Sequence, residues 1–99
     1  MIVGVPKEIK KDEYRVALVP SGAAALRRHG HVVLVEAGAG HGSNIPDRAY
    51  AQAGAEIIHS PAAIFKRAHL ILKVKEPQPE EHKFLRPGQI VFTFFHFAD

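Results

Sequence analysis

Three side chains in this sequence have the chemistry to hold and convert a small oxo- or amino-acid: Arg15, Lys75 and His96. A guanidinium binds a carboxylate through two parallel N–H bonds. An ammonium polarises or hydrogen-bonds a carbonyl oxygen, and an imidazole transfers a proton near neutral pH. Taken singly, each has a plainer reading. A lysine at a strand end usually snorkels to the surface. A histidine among aromatics usually sits satisfied in a core, and an isolated arginine usually makes a surface ion pair of small energetic weight. The functional reading depends on the three converging, so it depends on the elements that carry them.

Lys75 ends the stretch Leu70-Ile71-Leu72-Lys73-Val74-Lys75, which alternates at period two as a strand does. Two lysines arrive before the apolar run is over. A lysine is tolerated there only where its ammonium emerges at the strand's carboxyl end or meets a partner. Pro77 and Pro79 then hold the following loop extended. Residues 89–97 read as another strand, almost wholly apolar and expected to be buried, with His96 at its end. Arg15 lies in the polar loop that follows a first strand over 2–5.

The remaining elements fall between these. A helix is expected over 20–29, with Pro20 at its first position and Gly30 as its left-handed terminator. Val19, Ala23 and Leu26 are expected on its inward face, with Arg27 and Arg28 in its last turn. Strands are expected over 31–36 and 55–58, and helices over 46–54 and 60–67, with one helical turn near 80–85. Strand and helix alternate, which implies a three-layer α/β fold: a mainly parallel sheet with helices on both faces, Rossmann-like or flavodoxin-like. In such sheets ligands bind at the carboxyl edge of the strands, where Arg15, Lys75 and His96 would meet. A parallel strand normally leads into a crossover helix. The apolar run close to Asp99 therefore suggests the front part of a longer protein.

Composition excludes several function classes. The 99 residues allow one domain at most. There is no cysteine, hence no disulfide framework and no Cys-based metal site. The formal charge of +3 is spread along the chain, apart from Lys7, Lys10 and Lys11, so no nucleic-acid surface is indicated. The start lacks the pattern of a signal peptide, and no run is long enough to span a bilayer, so the reading is a soluble cytoplasmic protein. The histidines show no helix-face spacing with an acidic partner, which argues against zinc. Gly38-Ala39-Gly40 follows a strand and invites a dinucleotide-binding reading, but position 43 is Ser43 rather than glycine. A tight turn needing positive φ fits better, one that could also let a ligand or partner approach the backbone.

Several motifs here resemble the alanine dehydrogenase and pyridine nucleotide transhydrogenase N-terminal family. They are Ile2-Val3-Gly4-Val5-Pro6-Lys7-Glu8, Glu13-Tyr14-Arg15-Val16-Ala17-Leu18-Val19-Pro20, Val35-Glu36-Ala37-Gly38-Ala39-Gly40, Ala53-Gly54-Ala55-Glu56-Ile57 and Lys73-Val74-Lys75-Glu76-Pro77. The resemblance runs from end to end. The pairing of Lys75 with His96 resembles the alanine dehydrogenase branch. It implies that Arg15 holds the carboxylate of L-alanine or pyruvate, Lys75 hydrogen-bonds the carbonyl, and His96 assists proton transfer. It further implies NAD as cofactor, bound by a domain not contained in residues 1–99, and a homo-oligomer, hexameric in the family. The 99 residues are expected to be the N-terminal part of the substrate-binding domain and to have no turnover alone. Two alternatives stand beside this: the N-terminal domain of a transhydrogenase α subunit, and a stand-alone module binding a small carboxylate or a partner chain.

Overall fold

Five short runs rich in Val, Ile and Leu form a parallel sheet, and proline or charge closes those that end at Val5, Glu36 and Lys73. The computed structural model of the chain describes residues 1–94. Its elements are β1 (Ile2–Val5), α1 (Pro20–Arg28), β2 (Val32–Glu36), α2 (Asp47–Gln52), β3 (Glu56–Ile58), α3 (Pro61–Arg67), β4 (Leu70–Lys73), α4 (Pro79–His82) and β5 (Ile90–Thr93), with a 3-10 turn at His41–Ser43. The order across the sheet is β3-β2-β1-β4-β5, and every pairing is parallel. That is the Rossmann order rather than the flavodoxin one.

Local chemistry explains the boundaries. Pro20 and Pro61 begin α1 and α3, where a missing N–H costs nothing. The Ser60 hydroxyl caps α3 by accepting from the Ala63 N–H at 3.3 Å. Gln78 and Glu81 form a capping box on α4. Gly30 follows α1 at φ +87°, a conformation that needs no Cβ.

Two cores flank the sheet. On one face Val5, Val33 and Val35 meet Ala23 of α1 and Tyr50 of α2, with Leu18 and Leu26 packed against them. On the other, Leu34 and Ile71 meet Ile64, Phe65 and Ala68 around α3. α3 lies so close to β1 that a Cβ on Gly4 would stand 2.6 Å from Ile64 Cγ2 and 2.9 Å from Ala68 Cβ.

Three expectations are corrected. β4 stops at Lys73, so Lys75 stands in the loop beyond the strand. Val19 is the N-cap of α1 and is exposed rather than inward-facing. The strand of 89–97 is not wholly buried: Ile90, Phe92 and Phe94 are 55%, 52% and 49% exposed. β5 is an edge strand of the described sheet, and Val91 alone of its first three residues packs on the α3 core, so among the described residues the alternate side chains are only half covered.

Candidate functional site

Strand order reverses between β1 and β4, so the crevice of this sheet opens at the carboxyl ends of those two strands. The loop after β1 carries Arg15, and the loop after β4 carries Lys75. Both lie where the strand geometry predicts. His96 lies outside the described residues; Phe94, two positions earlier, lines a cleft beside Arg15.

The two loops are fastened together by a buried charge cluster. Lys73 is 0% exposed, and its ammonium donates to Glu8 Oε1 at 3.1 Å and lies 3.4 Å from Glu81 Oε2. The Glu8 carboxylate also accepts the backbone N–H of Val74 at 2.9 Å and of Lys75 at 3.3 Å. One carboxylate from the first loop therefore fixes the two peptides that lead into Lys75. Glu81 accepts the Gln78 N–H at 2.8 Å, which draws α4 into the same knot. On the surface Lys10 pairs with Glu76 at 2.9 Å, holding that carboxyl at about 2. Beside the cluster, burial pushes the Glu36 carboxyl up, while the Lys7 N–H that it accepts at 2.9 Å pulls the other way.

Arg15 is held by its neighbour. Its Nε donates to Glu13 Oε2 and its Nη2 to Oε1, each at 2.9 Å, and its backbone N–H donates to Oε2 at 3.0 Å. These bonds, the side-chain ones foremost, hold the Glu13 carboxyl at about 2; the Lys75 ammonium lowers it further. Arg15 borders two open clefts. One, of about 330 Å³, is walled by Val16, Ala17, Ile45, Val74 and Phe94. The other, of about 310 Å³, runs past Lys7, Lys10, Glu13 and His41. Lys75 is half-buried and lines neither cleft among the described residues.

The glycine turn serves the same loop. Gly38 has φ +83°, as a tight turn requires, and the chain then enters a 3-10 turn rather than a helix. A Cβ on Gly42 would lie 2.5 Å from the Tyr14 carbonyl oxygen, and Ser43 Oγ donates to that oxygen at 3.0 Å. What approaches the glycine backbone is therefore the Tyr14–Arg15 segment of the same chain.

Sequence reasoning had missed Glu8, Glu13 and Glu81, although the run around Lys73 already demanded a partner for its ammonium. Glu8 and Glu13 lie in an aperiodic loop that carries no positional signal, Glu81 reads locally as the N3 residue of a capping box, and only the fold brings residues 8 and 81 to Lys73. Among the described residues no group of three His, Cys, Asp or Glu side chains is set to hold a metal ion. No helix among them is long and apolar enough to cross a membrane.

Known proteins resemble this chain in sequence and fold. The family described as "Alanine dehydrogenase/PNT, N-terminal domain" matches residues 4–99. Alanine dehydrogenase of Mycolicibacterium smegmatis is 51% identical over 98 residues, and that of Bacillus subtilis 53%; each alignment takes in 99% of this chain and 26% of the relative. The chain thus spans about a quarter of the length of the curated relatives it matches. Among solved structures, an L-alanine dehydrogenase superposes with a TM-score of 0.91 at 43% identity, over 94% of this chain and 26% of that one. A transhydrogenase from Sinorhizobium meliloti superposes at 0.88 and 41% identity, over 96% and 27%.

Proposed function

Because the chain belongs to the alanine dehydrogenase/PNT N-terminal-domain family, we propose that residues 1–99 are the N-terminal part of the substrate-binding domain of an NAD-dependent alanine dehydrogenase. The reaction is the reversible oxidative deamination of L-alanine to pyruvate and ammonium in the cytoplasm, by a homo-oligomer whose NAD-binding domain lies outside these residues. The observation that carries the reading is 51–53% identity across essentially the whole chain to alanine dehydrogenases. Arg15 and Lys75 on the two loops flanking the reversal of strand order support it. The transhydrogenase reading shares the fold but is the less favoured one.

In this mechanism Arg15 takes the substrate carboxylate in its guanidinium fork, worth several charge-assisted bonds. Lys75 donates to the carbonyl oxygen of pyruvate and holds it against the carboxylate grip. His96 accepts a proton from the reacting oxygen or nitrogen during deamination and returns it in the reverse direction. NAD, when bound, supplies or takes the hydride at the substrate carbon. The described residues offer it no glycine cradle at a helix N-terminus, since the Gly38 turn leads into a 3-10 segment. Apolar walls at Val16, Val74 and Phe94 suit a short side chain such as the alanine methyl.

The test is NADH oxidation with pyruvate and ammonium, using the complete protein and Arg15→Ala, Lys75→Ala and His96→Ala. Each substitution is expected to lower kcat/KM for pyruvate by at least about a hundredfold. The 99-residue chain alone is expected to give no turnover. Unchanged alanine kinetics in all three variants would overturn the site, and hydride exchange between nucleotides without alanine turnover would favour the transhydrogenase.

A further inference from the structure

We propose that Glu13 is a positioning residue: it grips Arg15 along the guanidinium's Nε–Nη2 edge and so presents the Nη1–Nη2 end as the fork for the substrate carboxylate. The inference rests on the assignment of Arg15 to substrate binding made above.

A guanidinium has five N–H donors in one plane. Glu13 takes two of them, at 2.9 Å each, and takes the Arg15 backbone N–H as well. Two donors on Nη1 and one on Nη2 remain, and they form the end of the fork. The burial is lopsided: the Glu13 side chain is 5% exposed and that of Arg15 is 59% exposed. The inner edge is therefore spent on a nearly buried carboxylate, while the Arg15 side chain as a whole stays largely exposed and lines the cleft.

This asymmetry decides between two roles for Glu13. It could be a stand-in that the substrate carboxylate displaces, or a clamp that stays. Displacement would strip three N–H bonds from a nearly buried carboxylate and leave its charge uncompensated, which is costly. Binding at the outer end breaks none of them. The clamp also fixes a long side chain that would otherwise sample many rotamers, so less entropy is lost when the ligand arrives. Paired with Glu13, Arg15 contributes little net charge. Selection of the substrate then comes from the planar geometry of the fork rather than from net charge at Arg15.

The test is a two-by-two comparison in the complete enzyme: wild type, Glu13→Gln, Arg15→Ala and the double variant, with pyruvate, ammonium and NADH. In Glu13→Gln an amide N–H faces one of the guanidinium donors, so one side-on bond is lost. KM for pyruvate is expected to rise about tenfold, with kcat within about threefold and KM for NADH unchanged. Glu13→Asp, which keeps the charge at shorter reach, is expected to fall between wild type and Glu13→Gln. In the Arg15→Ala background Glu13→Gln is expected to change KM by less than about twofold, because there is no guanidinium left to position. An Arg15→Ala variant with raised KM beside a Glu13→Gln variant with wild-type KM would overturn the clamp and leave the Arg15 assignment standing. Equal effects of Glu13→Gln in both backgrounds would also overturn it, as an effect not routed through Arg15. Unchanged KM in Arg15→Ala would overturn the substrate assignment itself, and the clamp with it.

Discussion

Lys73→Met tests whether the two loops of the site are held by the buried charge cluster. Methionine nearly matches the lysine stem in length and volume, so the substitution removes the ammonium and little else. In the native protein that ammonium lies 3.1 Å from Glu8 Oε1 and 3.4 Å from Glu81 Oε2, with all three side chains at most 4% exposed. At an effective dielectric of about 20 each contact is worth roughly 5 kcal/mol of gross Coulomb energy, much of it offset by desolvation. After the substitution two carboxylates remain facing a methyl group. Glu8 keeps its N–H donors from Val74 and Lys75, and Glu81 keeps that of Gln78, which limits the loss. The expected net destabilisation is about 3–5 kcal/mol, the usual result of removing one partner from a buried pair. That is a large share of the roughly 5–15 kcal/mol available to a domain of this size, and it lowers Tm by at least about 12 °C. Urea unfolding of wild type, Lys73→Met, Glu8→Gln and the double variant gives the coupling directly. The double variant is expected to be at least about 1.5 kcal/mol more stable than the two single losses would add up to, since Glu8→Gln removes one of the stranded charges. A Lys73→Met protein within about 1 kcal/mol of wild type would refute the reasoning, because it would mean that the ammonium is not the counter-charge holding the loops.

Three further outcomes are expected. Gly42→Ala drives a Cβ against the Tyr14 carbonyl, 2.5 Å away, and shifts the Arg15 loop; KM for pyruvate in the complete enzyme should rise at least about threefold, with less than about 2 kcal/mol lost from stability. Gly4→Ala places its Cβ against Ile64 and Ala68 behind the sheet, and should cost about 1–3 kcal/mol in a urea titration without touching substrate binding. Acid stability follows from Glu13 and Glu76, both held at about 2 against an ordinary 4.5 by Arg15 and Lys10 respectively. Between 4.5 and 2 the unfolded chain binds more protons than the folded one, so stability falls as pH drops through that window. The urea midpoint should decline across it, and less steeply in Arg15→Ala; equal slopes in the two proteins would count against the Arg15–Glu13 pair.

Periodicity in the sequence is enough to order the fold. Apolar alternation at Ile2–Val5 and Leu70–Lys73, proline at the first turns of α1 and α3, and glycine after α1 all act over a few residues, so their consequences are legible locally. The motif around Arg15 and the stretch through Lys75 likewise announce the family, and the structure sets Arg15 on the loop expected for it and Lys75 two residues beyond the end of its strand. The exposure of Phe92 and Phe94 was not legible, because apolar content shows what wants burial and not whether a neighbour is there to bury it. Nor were the partners of the cations. Glu8 meets Lys73 across 65 positions, and the near burial of Glu13 against Arg15 is visible only in the folded chain. Charge pairing depends on distance in space and on the removal of water, and both are settled only when β1 and β4 lie side by side.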